Sequence, residues 1–128
     1  MRNRSEGIEK YLICIKSEVL LESVSGELLR HLSPITIERL YRNLPIQGMA
    51  VRDDDLLYIP APIDTRPEKP RNRVRRGHIA YSPSKKMVII ALGDVRLREG
   101  VNSLGRVVSG LGELHKLRTG HRVRLERV

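Results

Sequence analysis

Four histidines, a single cysteine and an acidic triplet have the chemistry to bind or catalyse, and spacing limits each of them. His31, His78, His115 and His121 lie far apart, with no i,i+4 pair to set two ligands on one helix face, so no metal site is expected. His115 and His121 read as surface residues beside a helix end. Cys14 is alone, which excludes an intramolecular disulfide and a cysteine metal motif, and its apolar run marks it as a small core residue. Asp53-Asp54-Asp55 could attract a cation. Asp also tolerates turn conformations and caps backbone N–H groups, so a turn between two strands is expected there. Gly110-Leu-Gly112 lacks the lysine and the glycine spacing of a phosphate loop. Ser82, Ser84 and Ser103 have no base beside them. No catalytic residue, metal or cofactor is assigned.

Charge is the stronger signal. The chain carries 24 Lys and Arg against 15 Asp and Glu, a formal net charge of +9. Lys69-Pro-Arg71-Asn-Arg73-Val-Arg75-Arg76 forms one cluster, and Lys116, Arg118, Arg122, Arg124 and Arg127 form another. Arg71, Arg73, Arg75 and Arg76 are a candidate basic patch for nucleic acid, beside the plainer reading of a solvated, solubilising surface. Neither cluster is interleaved with aromatics, so stacking platforms for single strands are absent. If residues 73–76 enter a strand, alternation splits the patch; if they stay in a loop, all four arginines reach one phosphate backbone.

A chain of 128 residues fits one domain with a real core, built without Phe or Trp from Leu, Ile, Val, Met and four Tyr. No apolar run approaches a membrane helix, and the charged start has no signal-peptide core, so a cytoplasmic protein without membrane contact is expected. Abundant Arg and a single Gln give a thermophile-like composition. Residues 1–10 read as an N-terminal tail and 11–128 as one domain.

Tyr11 to Lys16 and Val19 to Glu22 read as short strands, and Glu27 to His31 fits a strand or a helix start. Ser33 as N-cap, Pro34 at the first position and Ile37, Leu40, Tyr41 and Leu44 at helical spacing predict a helix over Pro34 to Leu44, stopped by Pro45. Gly48 to Arg52 and Leu56 to Ile59 flank the Asp triplet as a hairpin. Residues 60–73 hold four prolines and read as a loop. His78 to Tyr81 and Met87 to Leu92 form a second hairpin, the latter strand apolar on both faces. After a strand from Val101, Leu111, Leu114 and Leu117 mark a short helix with Gly120 at its C-cap, and Val123 and Leu125 point inward in a closing strand. Many short strands and two short helices suggest a closed or nearly closed barrel.

The run from Val101 to Val128 resembles the C-terminal unit of cyclophilin-type barrels, where V-V-x-G-K-V-v-x-G leads into one helix and a last strand. The chain from about Tyr11 onward is similar to small bacterial and archaeal cyclophilin-like proteins of uncharacterised function. Leu44-Pro-Ile-Gln-Gly48 stands for their L-P-x-x-G, and Leu57-Tyr-Ile-Pro60 for I-Y-F-x-x-P. Gly77-His-Ile-Ala-Tyr-Ser-Pro83 stands for G-D-I-x-Y-W-P, and Val101-Asn-Ser-Leu-Gly105 for V-N-V-I-G. The resemblance implies a mainly β, cyclophilin-like closed barrel of about eight strands with two short helices. Tyr58, Tyr81 and Asn102 are the polar-tipped residues at shared motif positions, and are the candidates for a ligand cleft. Relatives' Tyr-Trp-Pro becomes Tyr81-Ser82-Pro83, which thins the aromatic wall. The isomerase machinery is also thinned. Arg42 and Gln47 echo a cyclophilin segment on a helical pattern, and Arg96 and Val101 stand where Trp and His are usual. The expected function is a non-catalytic module binding a small molecule or peptide in a cleft on the barrel wall. The alternatives are a peptidyl-prolyl isomerase and a nucleic-acid-binding protein.

Overall fold

The structure, a computed structural model, describes residues 9–128. Of the tail expected over residues 1–10, residues 1–8 lie outside the described residues, and Lys10 already opens the first strand. The strands are β1 (Lys10–Lys16), β2 (Val24–Leu29), β3 (Ile46–Met49), β4 (Val51–Asp53), β5 (Leu56–Pro60), β6 (Arg71–Val74), β7 (His78–Ser82), β8 (Met87–Ala91), β9 (Val95–Ser109) and β10 (Arg122–Arg127). Among the described residues one α-helix, α1 (Pro34–Arg42), follows a 3-10 turn, Arg30–Leu32, and a 3-10 helix covers Leu111–Lys116.

The strands form one ten-stranded sheet in the order β3-β10-β1-β2-β9-β7-β8-β5-β4, with β6 attached to β9 off this path. The expected closed barrel of about eight strands is therefore corrected to a curled sheet that does not close. β3, at one end, approaches β5, the strand next to the other end, and a Cβ on Gly48 would lie 3.3 Å from the Pro60 ring. Pro60 has no N–H to donate, so the approach is packing rather than a ladder.

Alternation divides the core in two. Leu57 and Ile59 of β5, Ile79 and Tyr81 of β7 and Val88 and Ile90 of β8 enter the main cluster with Ile37 and Leu40 of α1. Leu56 and Tyr58, Ala80, and Ile89 and Ala91 of the same strands face the other way, into a smaller outer cluster with Val74 and Val101. The sheet here is covered on both faces, which is why β8 reads as a continuous apolar run.

Several local expectations change. Val19 to Glu22 is the turn between β1 and β2, with Leu21 85% exposed, not a strand. Residues 27–31 are both things considered: the end of β2 and a 3-10 turn. The helix stops at Arg42 rather than Leu44, and Ser33 does not cap it; its hydroxyl donates to the Ser103 carbonyl at 2.7 Å. Arg71 to Arg73 belong to β6, not to the loop. Cys14 is half-buried, between the core residues Ile13 and Ile15.

Gly120 does not cap the 3-10 helix, since Leu117 is already extended. It sits instead in one of two matching turns, Arg75-Arg-Gly-His78 and Arg118-Thr-Gly-His121. In each, the glycine has positive φ (90° and 97°), the His N–H donates to the Arg carbonyl, and the His Nδ1 accepts from the Arg N–H. A glycine at the third position of such a turn takes the left-handed region without a Cβ penalty.

Candidate functional site

Tyr81 and Asn102 are register partners on β7 and β9, both buried on the inner face. The Tyr81 hydroxyl donates to the Ala61 carbonyl at 2.6 Å and accepts the Ile63 N–H at 3.3 Å. Burial pushes its phenol pKa up, against the opposing pull of the Ile63 hydrogen bond. The Asn102 amide accepts the Glu68 N–H at 2.8 Å and donates to the Arg66 carbonyl and the Thr36 hydroxyl, each at 2.9 Å. Glu68 in turn receives the Ile35 and Thr36 N–H groups at 3.0 and 2.8 Å, so a loop carboxylate holds the start of α1. Both residues thus fasten the segment from Ala61 to Glu68.

Tyr58 is on the other face. Its ring belongs to the outer cluster, with the Lys85 ammonium 5.0 Å from the ring centre. It lines a cleft of about 330 Å³ with Leu56, Ile89 and Val101 below and Lys85, Arg96 and Glu99 at the rim. The structure therefore brings Tyr81 and Asn102 together and sets Tyr58 apart from them.

A larger groove, about 1140 Å³, runs beside β6. Arg71, Arg73 and Arg75 line it from β6 and its extension, Arg98 and Arg106 from β9, and His78 from β7. Leu29, Leu32, Ile79 and Ala80 also line it, and among the described residues no Asp or Glu does. Arg106 is paired with Glu27 at 2.9 Å; Arg71, Arg73, Arg75 and Arg98 are exposed, and their side chains have no hydrogen bond or ion pair among the described residues. Arg76 does not line the groove, and its N–H donates to Asp94 at 3.0 Å. β6 being a strand, Val74 is buried and alternation sends Arg73 and Arg75 to the opposite side, which divides the candidate patch.

Sequence reading missed Arg98 and Arg106 as members of this group. The Val95-Arg-Leu-Arg98 alternation, with Val95 and Leu97 half-buried, was the available signal for the first. Arg42 and Gln47 are both exposed and line neither cavity. Among the described residues no three His, Cys, Asp or Glu side chains gather to hold a metal, and no helix is long and apolar enough to cross a membrane.

Comparison with known proteins fixes the family. The sequence model of the Cyclophilin-like family matches residues 13–126. The chain belongs to the cyclophilin-like family. A hypothetical protein of Archaeoglobus fulgidus, solved in solution, is similar to this cyclophilin-like chain at 24% identity and TM-score 0.77, over 94% of this chain and 96% of that one. McbB, in complex with tryptophan, is similar at 17% identity and TM-score 0.72 over 90% of this chain; the chain spans 44% of McbB. At these identities the likeness speaks for the fold alone. No curated protein matches the chain.

Proposed function

We propose that this cyclophilin-like protein is a binding module, not a catalyst, which takes an anionic small molecule or peptide in the arginine groove on the wall of its sheet. One observation carries the reading: among the described residues, four arginines without carboxylate partners line a groove that no Asp or Glu lines. Like charges gathered without counter-charge repel one another, and a bound anion relieves that repulsion while receiving forked guanidinium hydrogen bonds. The half-buried Leu29 and Leu32 supply apolar contact. Tyr81 and Asn102 serve this module by holding the segment that leads into β6, and Tyr58 offers a smaller, separate cleft.

Calorimetric titration with inorganic polyphosphate tests the reading. Binding is expected at low salt, weakening as salt rises. The Arg71→Ala, Arg73→Ala, Arg75→Ala, Arg98→Ala variant should lose about a hundredfold in affinity. No binding by the parent protein, or unchanged binding by the variant, overturns the proposal. A protease-coupled assay on a proline peptide should show no acceleration; activity abolished by Arg42→Ala would restore the isomerase reading.

A further inference from the structure

We infer that the occupant of the arginine groove is an extended peptide with acidic residues at alternate positions, added as a strand to the free edge of β6. The inference rests on the anion reading above and names its ligand class. Among the described residues β6 pairs with β9 alone, so one edge of this strand has no ladder partner. An unpaired edge is a template for another extended chain, whose main-chain hydrogen bonds give affinity while alternate side chains give specificity.

The charges match that geometry. Val74 is buried in the outer cluster, so Arg71, Arg73 and the following Arg75 project from the opposite face of the same strand. Alternate residues on a strand are spaced about 6.6 Å apart, the same repeat that an added strand gives its own side chains. Acidic residues at every second position therefore fall opposite the arginine row, about 5 Å away between Cβ atoms. The intervening residues share the face of Val74, the side of the outer cluster that also holds Ala80, which favours small apolar side chains there.

β9 adds a fourth charge through a bulge. Arg73 pairs with Arg96 and Arg71 with Val101, so two steps along β6 face five along β9. The surplus carries Arg98 to the groove. The volume, about 1140 Å³, exceeds the roughly 300–1,000 Å³ of small-molecule sites, which suits an extended occupant. Among the described residues no Phe, Tyr or Trp lines the groove, so nucleic-acid bases would find none of the large stacking platforms of single-strand binders.

The experiment is fluorescence anisotropy with labelled eight-residue peptides on the whole protein. An alternating Glu-Val peptide should bind at least about tenfold tighter than its block isomer, four Glu followed by four Val. Two alternating peptides, N-methylated on odd or on even residues, separate a ladder from plain attraction. One phase should lose binding about tenfold and the other keep it, because only alternate N–H groups face the neighbouring strand. The surface variant Arg71→Ala, Arg73→Ala should weaken the alternating peptide about tenfold. Equal binding of both methylated phases, or of the alternating and block peptides, overturns strand addition. So does tighter binding of oligothymidylate than of any peptide. Polyphosphate binding without peptide binding overturns this inference and leaves the anion reading standing, whereas failure of every anion removes that reading itself.

Discussion

Asn102 and Thr36, 66 residues apart, share a hydrogen bond of 2.9 Å from amide to hydroxyl at the point where β9, α1 and the proline-rich loop meet. Both side chains are buried, and the second amide hydrogen and the amide oxygen go to the loop backbone at Arg66 and Glu68. Replacing Asn102 by Ala strands the Glu68 N–H, the Arg66 carbonyl and one acceptor site on Thr36. Asn102→Ala should lower stability by about 2–4 kcal/mol, read as a fall in the urea midpoint at unchanged slope.

Tyr81→Phe isolates the other loop anchor. The ring stays in the core while the Ala61 carbonyl and Ile63 N–H lose their hydroxyl partner. A loss of about 1–2 kcal/mol is expected, with faster proteolysis between residues 61 and 70. A variant as stable and as resistant as the parent would show that the hydroxyl holds nothing.

Gly105 tests the close approach of β9 to β2. A Cβ there would stand 1.8 Å from the Glu27 carbonyl oxygen and 3.0 Å from the Leu28 Cα, both backbone atoms that cannot swing aside. Gly105→Ala should therefore cost about 3 kcal/mol or more, or leave the chain unfolded in thermal melts. Gly112→Ala, with nothing within 4 Å of the new methyl, is the control that should change little.

Glu27 sets a pH dependence. The Arg106 hydrogen bond, helped by Lys10, holds its carboxyl below the usual carboxylate range despite burial. A depressed folded pKa means stability that is fully present above the unfolded value and is lost as pH falls through the folded one. Urea midpoints should fall from about pH 5 downward, and Glu27→Gln should flatten that part of the curve. Arg106 is largely exposed, so added salt should shrink the effect.

Where one element shows one periodicity, the sequence was readable. Ile37 and Leu40 at helical spacing place α1 against the main cluster, and Val123 and Leu125 face inward with Arg122 and Arg124 out. Glu126, next on the outward face, is half-buried and paired with Lys16 because β1 lies alongside. β9 was harder: its 15 residues serve β6, β7 and β2 in turn, and its charged stretch around Arg96 to Gly100 has no single alternation. Of the site, the Arg71–Arg75 row was visible as charge. Arg98 and Arg106 join it only through the bulge and the β2 pairing, which are long-range facts. Tyr81 and Asn102 were singled out by motif position, but sequence held no sign that Ala61, Ile63, Arg66 and Glu68 would consume their hydrogen bonds.

The seam at Gly48 and Pro60 also bears on how these molecules treat one another in a crowded solution. A curled sheet whose end strands are only four and three residues long, with β3 packed against β5, offers neighbours little backbone to copy, which guards against runaway self-association. β6 is the place where that protection is lifted. A second molecule aligning its own β6 there would press one row of arginines against another. On the strand-addition reading, such a surface favours a chain of opposite charge over its own kind, which would let the protein keep an open strand edge without pairing through it.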